Sequence, residues 1–108
     1  MKAIATLLAA TAALAFGLDA QAADAQAGEA LAKTSGCLAC HAVDKKLVGP
    51  SYKEIADKYR SDKGAAAKLA QKVKEGGKGV WGDIPMPPNA HVKDPDIKTL
   101  VQWVLSTK

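Results

Sequence analysis

The chain has 108 residues, with 15 Lys and Arg against 11 Asp and Glu, which gives a net charge of +4. It has no dense Arg/Lys run interleaved with aromatic side chains, and this argues against a nucleic-acid-binding protein. The length suits one small domain, and such domains often need a disulfide, a metal or a cofactor to complete the core.

Residues 1–22 have the pattern of a cleaved secretory signal peptide. Lys2 supplies the positive charge, residues 3–17 form an apolar run, and residues 20–22 (Ala-Gln-Ala) match the small-x-small cleavage rule. The apolar run is shorter than the roughly 20 residues that span a bilayer. The sequence therefore predicts export to the bacterial periplasm, a mature domain of residues 23–108, and no stable membrane insertion.

The mature chain predicts three helices before residue 76. Residues 27–36 form an Ala-rich helix that leads into two cysteines. Ser51 begins an S-x-x-E capping box, so we expect a second helix from there to about Tyr59. A third helix is expected to start after Asp62 and to stop at Gly76.

Residues 76–91 hold four glycines and three prolines, which predicts a long irregular loop of the kind that is often functional. A fourth helix follows, with Asp94 as its cap and Pro95 in its first turn. Its apolar stripe consists of Ile97, Leu100, Val101, Val104 and Leu105. Because nothing alternates as a strand would, the sequence predicts an all-α domain.

Cys37, Cys40 and His41 form a C-x-x-C-H motif, the attachment sequence of c-type haem. The two thiols have the spacing that lets them add across the two porphyrin vinyl groups as thioethers. His41 then offers its imidazole as the proximal iron ligand. The motif predicts a covalently attached haem c.

Three other uses of the motif fit the sequence less well. A thioredoxin-type pair is disfavoured because no βαβ pattern surrounds Cys37 and Cys40. A structural zinc site needs about four ligands, and beyond His41 only His91 remains as a Cys or His candidate. A structural disulfide is compatible with an exported protein but gives no reason for the adjacent histidine.

The candidates for the opposite side of the iron are few. After removal of the signal peptide Met86 is the only methionine, and His91 and the lysines are the alternatives. Pro85, Pro87 and Pro88 make the loop around Met86 stiff, which suits a ligand that must hold its place in both oxidation states. A thioether is a soft, neutral ligand that raises the reduction potential. The loop favours Met86 as the distal ligand, with His91 at the surface.

The motifs together resemble class I cytochromes c, and most closely the small bacterial cytochrome c-551 group. Segments 37–59 (CLACHAVDKKLVGPSYKEIADKY), 79–90 (GVWGDIPMPPNA) and 100–108 (LVQWVLSTK) each look like that group. The resemblance covers essentially the whole mature chain. It implies a small cytochrome c fold of about four helices wrapped around one covalently attached haem c.

The resemblance also implies roles for three further residues. The Pro50 carbonyl would accept the remaining N–H of His41 and fix its ring. The Asn89 side chain would hydrogen-bond near the Met86 sulfur. The Trp81 indole N–H would donate to a haem propionate, which would also give a buried indole N–H the acceptor that it needs.

Two residues depart from the family pattern. Lys72 stands where an arginine is frequent, and a lysine does not make the bidentate propionate contact of a guanidinium. Asp83 stands where the loop often has proline. Lysines expected to steer partners, with a salt-dependent rate, are Lys33, Lys45, Lys46, Lys72 and Lys78.

Iron with two axial ligands leaves no open position for a substrate, so the site indicates a one-electron carrier rather than an enzyme. The resemblance implies a cytochrome bc-type complex as donor, and a nitrite reductase, a terminal oxidase or a peroxidase as acceptor. We expect a monomer. The alternative is a haem protein with an open or displaceable sixth position, peroxidase-like or gas-binding, and Met86 is the residue that discriminates between the two.

Overall fold

The computed structural model describes residues 17–108, which contain four α-helices. They are α1 (Gly17–Thr34), α2 (Tyr52–Tyr59), α3 (Ala65–Glu75) and α4 (Asp94–Leu105), with a short 3-10 turn at Cys37–Ala39. This described part of the chain contains no β-strand, and the predicted all-α class is confirmed. None of its helices is long and apolar enough to cross a lipid bilayer.

The first helix differs from its prediction at both ends. It begins at Gly17, inside the predicted signal peptide, and ends at Thr34, two residues before the predicted end. Gly36 has a φ of +82°, a left-handed conformation that stops a helix. Residues 1–16, most of the predicted signal peptide, lie outside the described residues. Cleavage after Ala22 therefore stays a prediction.

The boundaries of α2 and α3 agree with the capping and breaking residues in the sequence. The Ser51 hydroxyl accepts a hydrogen bond of 3.0 Å from the Glu54 backbone N–H, as an N-cap does. The Asp62 carboxylate accepts the Gly64 N–H at 2.8 Å just before α3 begins. Gly76 takes a φ of +71° and ends α3.

The prediction that Asp94 caps α4 was wrong by one residue. Lys93 occupies the cap position without a side-chain hydrogen bond, and Asp94 lies in the first turn with Pro95. The Asp94 carboxylate is well placed there because a helix N-terminus carries partial positive charge, and it pairs with the Lys74 ammonium at 2.9 Å. Lys74 also donates to the Val92 carbonyl at 3.1 Å, which ties α3 to the start of α4.

The last helix organises the core because it packs against α1, α2 and α3. Four of its five predicted apolar positions are buried, and Leu105 is half-buried. One buried cluster joins Val104 to Tyr52 and Ile55 of α2. A second joins Ile97 and Val101 to Val92. The same helix also lines the cleft described next, so its position fixes one wall of the site.

Candidate cofactor site

The 3-10 turn after α1 gathers the residues of the C-x-x-C-H motif. The backbone N–H groups of Cys40 and His41 both donate to the Cys37 carbonyl, at 3.2 and 3.0 Å. This tight turn places two thiols and an imidazole along one cleft. The two thiols do not pair as a disulfide, and both are half-buried. Burial raises the pKa of the Cys37 thiol above its usual range.

The imidazole of His41 is held from two sides. Its Nδ1 lies 2.7 Å from the Pro50 carbonyl oxygen, which can only accept, so Nδ1 carries the proton and donates it. The Nε2 lone pair is thereby left available to a metal. The ring also stacks beside Tyr52, with centroids 5.4 Å apart. A Cβ on Gly49 would lie only 2.6 Å from His41 Cε1, so the backbone packs directly against the ring.

The loop that carries Met86 is anchored on both sides of that residue. Gly77 and Met86 exchange two backbone hydrogen bonds of 3.0 and 2.8 Å. Beyond it, the Asn89 backbone N–H donates to the Val73 carbonyl of α3 at 2.9 Å. The Asn89 amide nitrogen donates to the carbonyls of Val73 and Pro87, both at 3.2 Å. Asn89 thus ties the loop to α3, and its contact with the Met86 sulfur stays a prediction.

The structure brings most of the predicted site residues to one cleft. Four potential haem or iron ligands line it: Cys37, Cys40, His41 and Met86. Its walls are mainly apolar and come from α2, α3 and α4, through Ile55, Tyr59, Leu69, Val73, Leu100 and Val104. Pro50 and Trp81 also line it, whereas Asn89 lies behind the loop, against α3.

The mouth of the cleft is apolar and exposed. Side chains that line it and are at least two-fifths exposed are Val48, Val80, Trp81 and Ile84. Of the five lysines expected near the haem edge, three line the cleft: Lys46, Lys72 and Lys78. Lys33 instead pairs with Glu29 on α1 at 3.3 Å. Asp83 is exposed beside this mouth.

Residues 25–108 match the cytochrome c family model. The chain belongs to the cytochrome c family. It is 56% identical over 89 residues to cytochrome c-551 of Pseudomonas aeruginosa, an alignment that covers 82% of this chain and 85% of that protein. It is 54% identical over 84 residues to cytochrome c-552 of Nitrosomonas europaea, covering 78% and 82%.

Solved cytochrome structures share the fold. The crystal structure of wild-type Nitrosomonas europaea cytochrome c552 superposes with a TM-score of 0.72 and 52% identity, over 74% of this chain and 99% of that one. The class 1 cytochrome MtoD from Sideroxydans lithotrophicus ES-1 gives a TM-score of 0.67 and 39% identity, over 78% and 96%. The class I c-type assignment and the small cytochrome c fold are confirmed. The chain is therefore an electron-transfer haem protein with one covalently attached haem c, of a family of electron carriers rather than enzymes.

The donor set of this cytochrome fits that cofactor. Two thiols at C-x-x-C spacing, an imidazole with a free Nε2 and a thioether are the groups that hold a c-type haem. A mostly apolar cleft suits a flat macrocycle. Only a glycine at position 49 leaves the His41 ring the space that it occupies, and the Pro50 hydrogen bond orients the ring there.

Sequence reasoning missed Tyr52. This side chain is only 3% exposed, stacks on His41 and meets the Trp103 ring edge-on at 5.2 Å. Its hydroxyl is buried without a hydrogen-bond partner among the described residues, and burial raises the pKa of Tyr52 well above its usual range. Its helical spacing to Ile55, on the buried face of α2, was the signal that could have found it.

Proposed function

We propose that the protein is an exported, periplasmic one-electron carrier whose haem iron is held between His41 and Met86. The observation that carries this proposal is that Cys37, Cys40, His41 and Met86 line one mostly apolar cleft. When bound, haem c supplies a one-electron iron couple. The chain's own residues fix the ligands, exclude water and present the cleft mouth to partners.

His41 acts as the proximal ligand through Nε2. Donation from Nδ1–H to the Pro50 carbonyl sets the tautomer and the orientation of the ring. It also makes the imidazole a stronger base, which favours the oxidised metal. Stacking on Tyr52 limits rotation of the ring.

Met86 acts as the distal ligand. The pair of hydrogen bonds with Gly77 and the Asn89 contacts to α3 hold the loop on both sides of the sulfur. Because Gly77 and Asn89 hold the loop, the Met86 sulfur would keep its position in both oxidation states of a bound haem iron. The thioether favours the reduced metal and opposes the effect of the imidazole on the potential.

The protein is a monomer, and its partners dock at the cleft mouth. The exposed apolar side chains there form a small dry contact, and Lys46 and Lys78 attract acidic groups at its border. By resemblance, the donor is a cytochrome bc-type complex and the acceptor a nitrite reductase, a terminal oxidase or a peroxidase. We also assign the Trp81 indole N–H to a haem propionate, because Trp81 lines the same cleft.

An optical spectrum with a redox titration of the purified holoprotein tests this proposal. We expect the long-wavelength absorption band of a sulfur–ferric iron bond, and no binding of carbon monoxide by the reduced protein. Met86→Ala should lose the band and bind carbon monoxide, whereas His91→Ala should behave as wild type. A wild-type protein that lacks the band and binds carbon monoxide would instead be peroxidase-like or gas-binding.

Export is tested separately. The proposal expects the protein in the periplasmic fraction with Ala23 at its N-terminus. A haem-bearing protein that retains residues 1–22 would contradict cleavage but not electron transfer.

A further inference from the structure

The loop of residues 78–85, at the cleft mouth, has few ties to the helices. Within residues 17–108, no hydrogen bond joins these eight residues to a helix. The Gly77–Met86 pair closes the base of the loop, and the Gly79 N–H donates to the Gly82 carbonyl inside it at 2.9 Å. Both of those glycines have positive φ, of +102° and +117°. A glycine-rich backbone gains much conformational freedom when it opens, so a further side-chain contact, beside the propionate contact assigned to Trp81, helps to keep the loop closed.

That contact comes from Lys58, in the last turn of α2. Its ammonium nitrogen lies 5.6 Å from the centroid of the Trp81 ring and 5.9 Å from that of Tyr59. Both distances fall within the reach of a cation–π interaction, which is about 6 Å. Within the described chain Lys58 makes no ion pair and no hydrogen bond, so its charge interacts with these two rings.

The two rings come from different parts of the fold. Tyr59 ends α2, whereas Trp81 is the large side chain in the middle of the 78–85 loop. A cation between them joins the loop to the helix. Because the loop leads directly into Pro85 and Met86, a loop that is held shut also limits movement of the sulfur.

We propose that Lys58 is a positioning residue that holds Trp81, and with it the 78–85 loop, closed over the cleft mouth. This inference rests on the proposed function only in assigning Met86 to the iron. The closure itself depends on Lys58, Trp81 and the loop backbone. Amide exchange measures it independently of whether Met86 binds the iron.

The test is water–amide exchange of the Gly79 N–H, measured by NMR on the reduced holoprotein. Lys58→Met keeps a long side chain but removes the charge. Loss of an exposed cation–π contact predicts a rise of about two- to five-fold in Gly79 exchange. Lys58→Arg keeps a cation that also binds aromatic faces, so it should exchange like wild type.

Lys53→Met is the matched control, because Lys53 is an exposed lysine on the same helix. It loses the same charge and should leave Gly79 exchange unchanged. The Gly76 N–H, which donates to the Lys72 carbonyl at 2.8 Å, serves as the reference amide in every sample. Circular dichroism verifies that each variant is folded.

Equal Gly79 exchange in Lys58→Met and wild type would overturn the proposal, and so would an equal rise in Lys53→Met. The sulfur–ferric iron absorption band of the wild type is read after the same samples have been oxidised. If that band is absent while Lys58→Met still speeds exchange, Met86 ligation fails and the closure stands.

Discussion

His41 donates from Nδ1 to the Pro50 carbonyl oxygen over 2.7 Å, while the intervening turn presses Gly49 against the same imidazole. The hydrogen bond selects the tautomer, and the backbone contact limits where the ring can lie. One short turn, V-G-P, thus controls both the protonation and the position of the proposed proximal ligand.

Gly49→Ala should disturb this arrangement. The new Cβ would lie 2.6 Å from Cε1 and 2.9 Å from Nδ1 of His41, closer than real carbon contacts allow, so the ring must shift. Overpacking of this kind typically costs about 1–3 kcal/mol. We expect a lower free energy of unfolding and an altered reduction potential, measured by denaturant titration and redox titration of the holoprotein.

Gly64→Ala is the control for that change. Its Cβ would meet Asp62 Oδ1 at 3.4 Å and Lys68 Cε at 3.7 Å, both ordinary contact distances, and its φ of −90° is open to alanine. The potential should stay at the wild-type value. If Gly49→Ala leaves both the potential and the stability unchanged, the close approach to His41 does not control the ligand.

Gly76→Ala tests the support of the Met86 loop. An added Cβ would lie 2.4 Å from the Met86 carbonyl oxygen and 2.8 Å from the Pro88 nitrogen, and both of those are backbone atoms. The loop must therefore move away from α3. We expect the sulfur–ferric iron absorption band to disappear at a lower temperature than in wild type, as followed by optical melting.

Gly36→Ala separates this clash from backbone strain. Gly36 has a similar φ, +82° against +71°, but a Cβ there meets no atom of the described residues within 4 Å. Alanine in the left-handed conformation of Gly36 costs about 1–2 kcal/mol. Gly76 has a ψ of −167°, in a region almost restricted to glycine, where alanine costs about 1–3 kcal/mol. Both variants should lose global stability, and only Gly76→Ala should lose the absorption band early. Equal loss of the band in both would show that strain alone is responsible.

Comparison of Tyr52→Phe with Tyr52→Leu separates the contribution of the Tyr52 hydroxyl to stability from that of its ring. The hydroxyl is buried without a partner in the described structure, so its removal should leave the free energy of unfolding unchanged or raise it by up to about 1 kcal/mol. Leucine also removes the stack on His41 and the edge contact with Trp103, which predicts a loss of about 1–3 kcal/mol. Denaturant titration measures both, and a destabilised Tyr52→Phe would mean that the hydroxyl has a partner in the holoprotein.

The sequence was sufficient where chemistry depends on local spacing. The C-x-x-C-H motif, the Ser51 cap and the proline-rich loop around Met86 each act within a few residues, so their positions could be read from the chain. Asp94 was misassigned as a cap because a carboxylate suits both the cap and the first turn of a helix.

Contacts between distant segments could not be predicted in this way. The Asn89 amide donates to the Val73 carbonyl because α3 passes beside the loop, and no pattern in the sequence predicts that contact. Lys58 and Trp81 meet across 22 intervening residues. Such pairs depend on how the helices pack, which local propensity does not determine.

The start of α3 provides a pH-dependent contribution to stability. The Lys68 ammonium donates to Asp62 Oδ2 at 2.8 Å, and the Gly64 N–H donates to Oδ1 at the same distance. These contacts hold the pKa of the Asp62 carboxyl below its ordinary value of 3.8, with the Lys68 hydrogen bond as the larger cause. A carboxyl whose pKa is lower in the folded state stabilises the fold above its unfolded pKa. That stabilisation is lost as the pH falls through the folded pKa.

Asp62→Asn should therefore destabilise the protein in a pH-dependent way. Asparagine can still accept the Gly64 N–H, so the change removes mainly the charged contact with Lys68. The variant should unfold at a lower denaturant concentration than wild type at neutral pH, and the difference should shrink below about pH 4. Urea titrations at constant ionic strength measure it, with Asp44→Asn at an exposed site as the control. A difference that stays constant from neutral to acidic pH would mean that Asp62 acts through its shape and backbone contact, and that its charge contributes nothing.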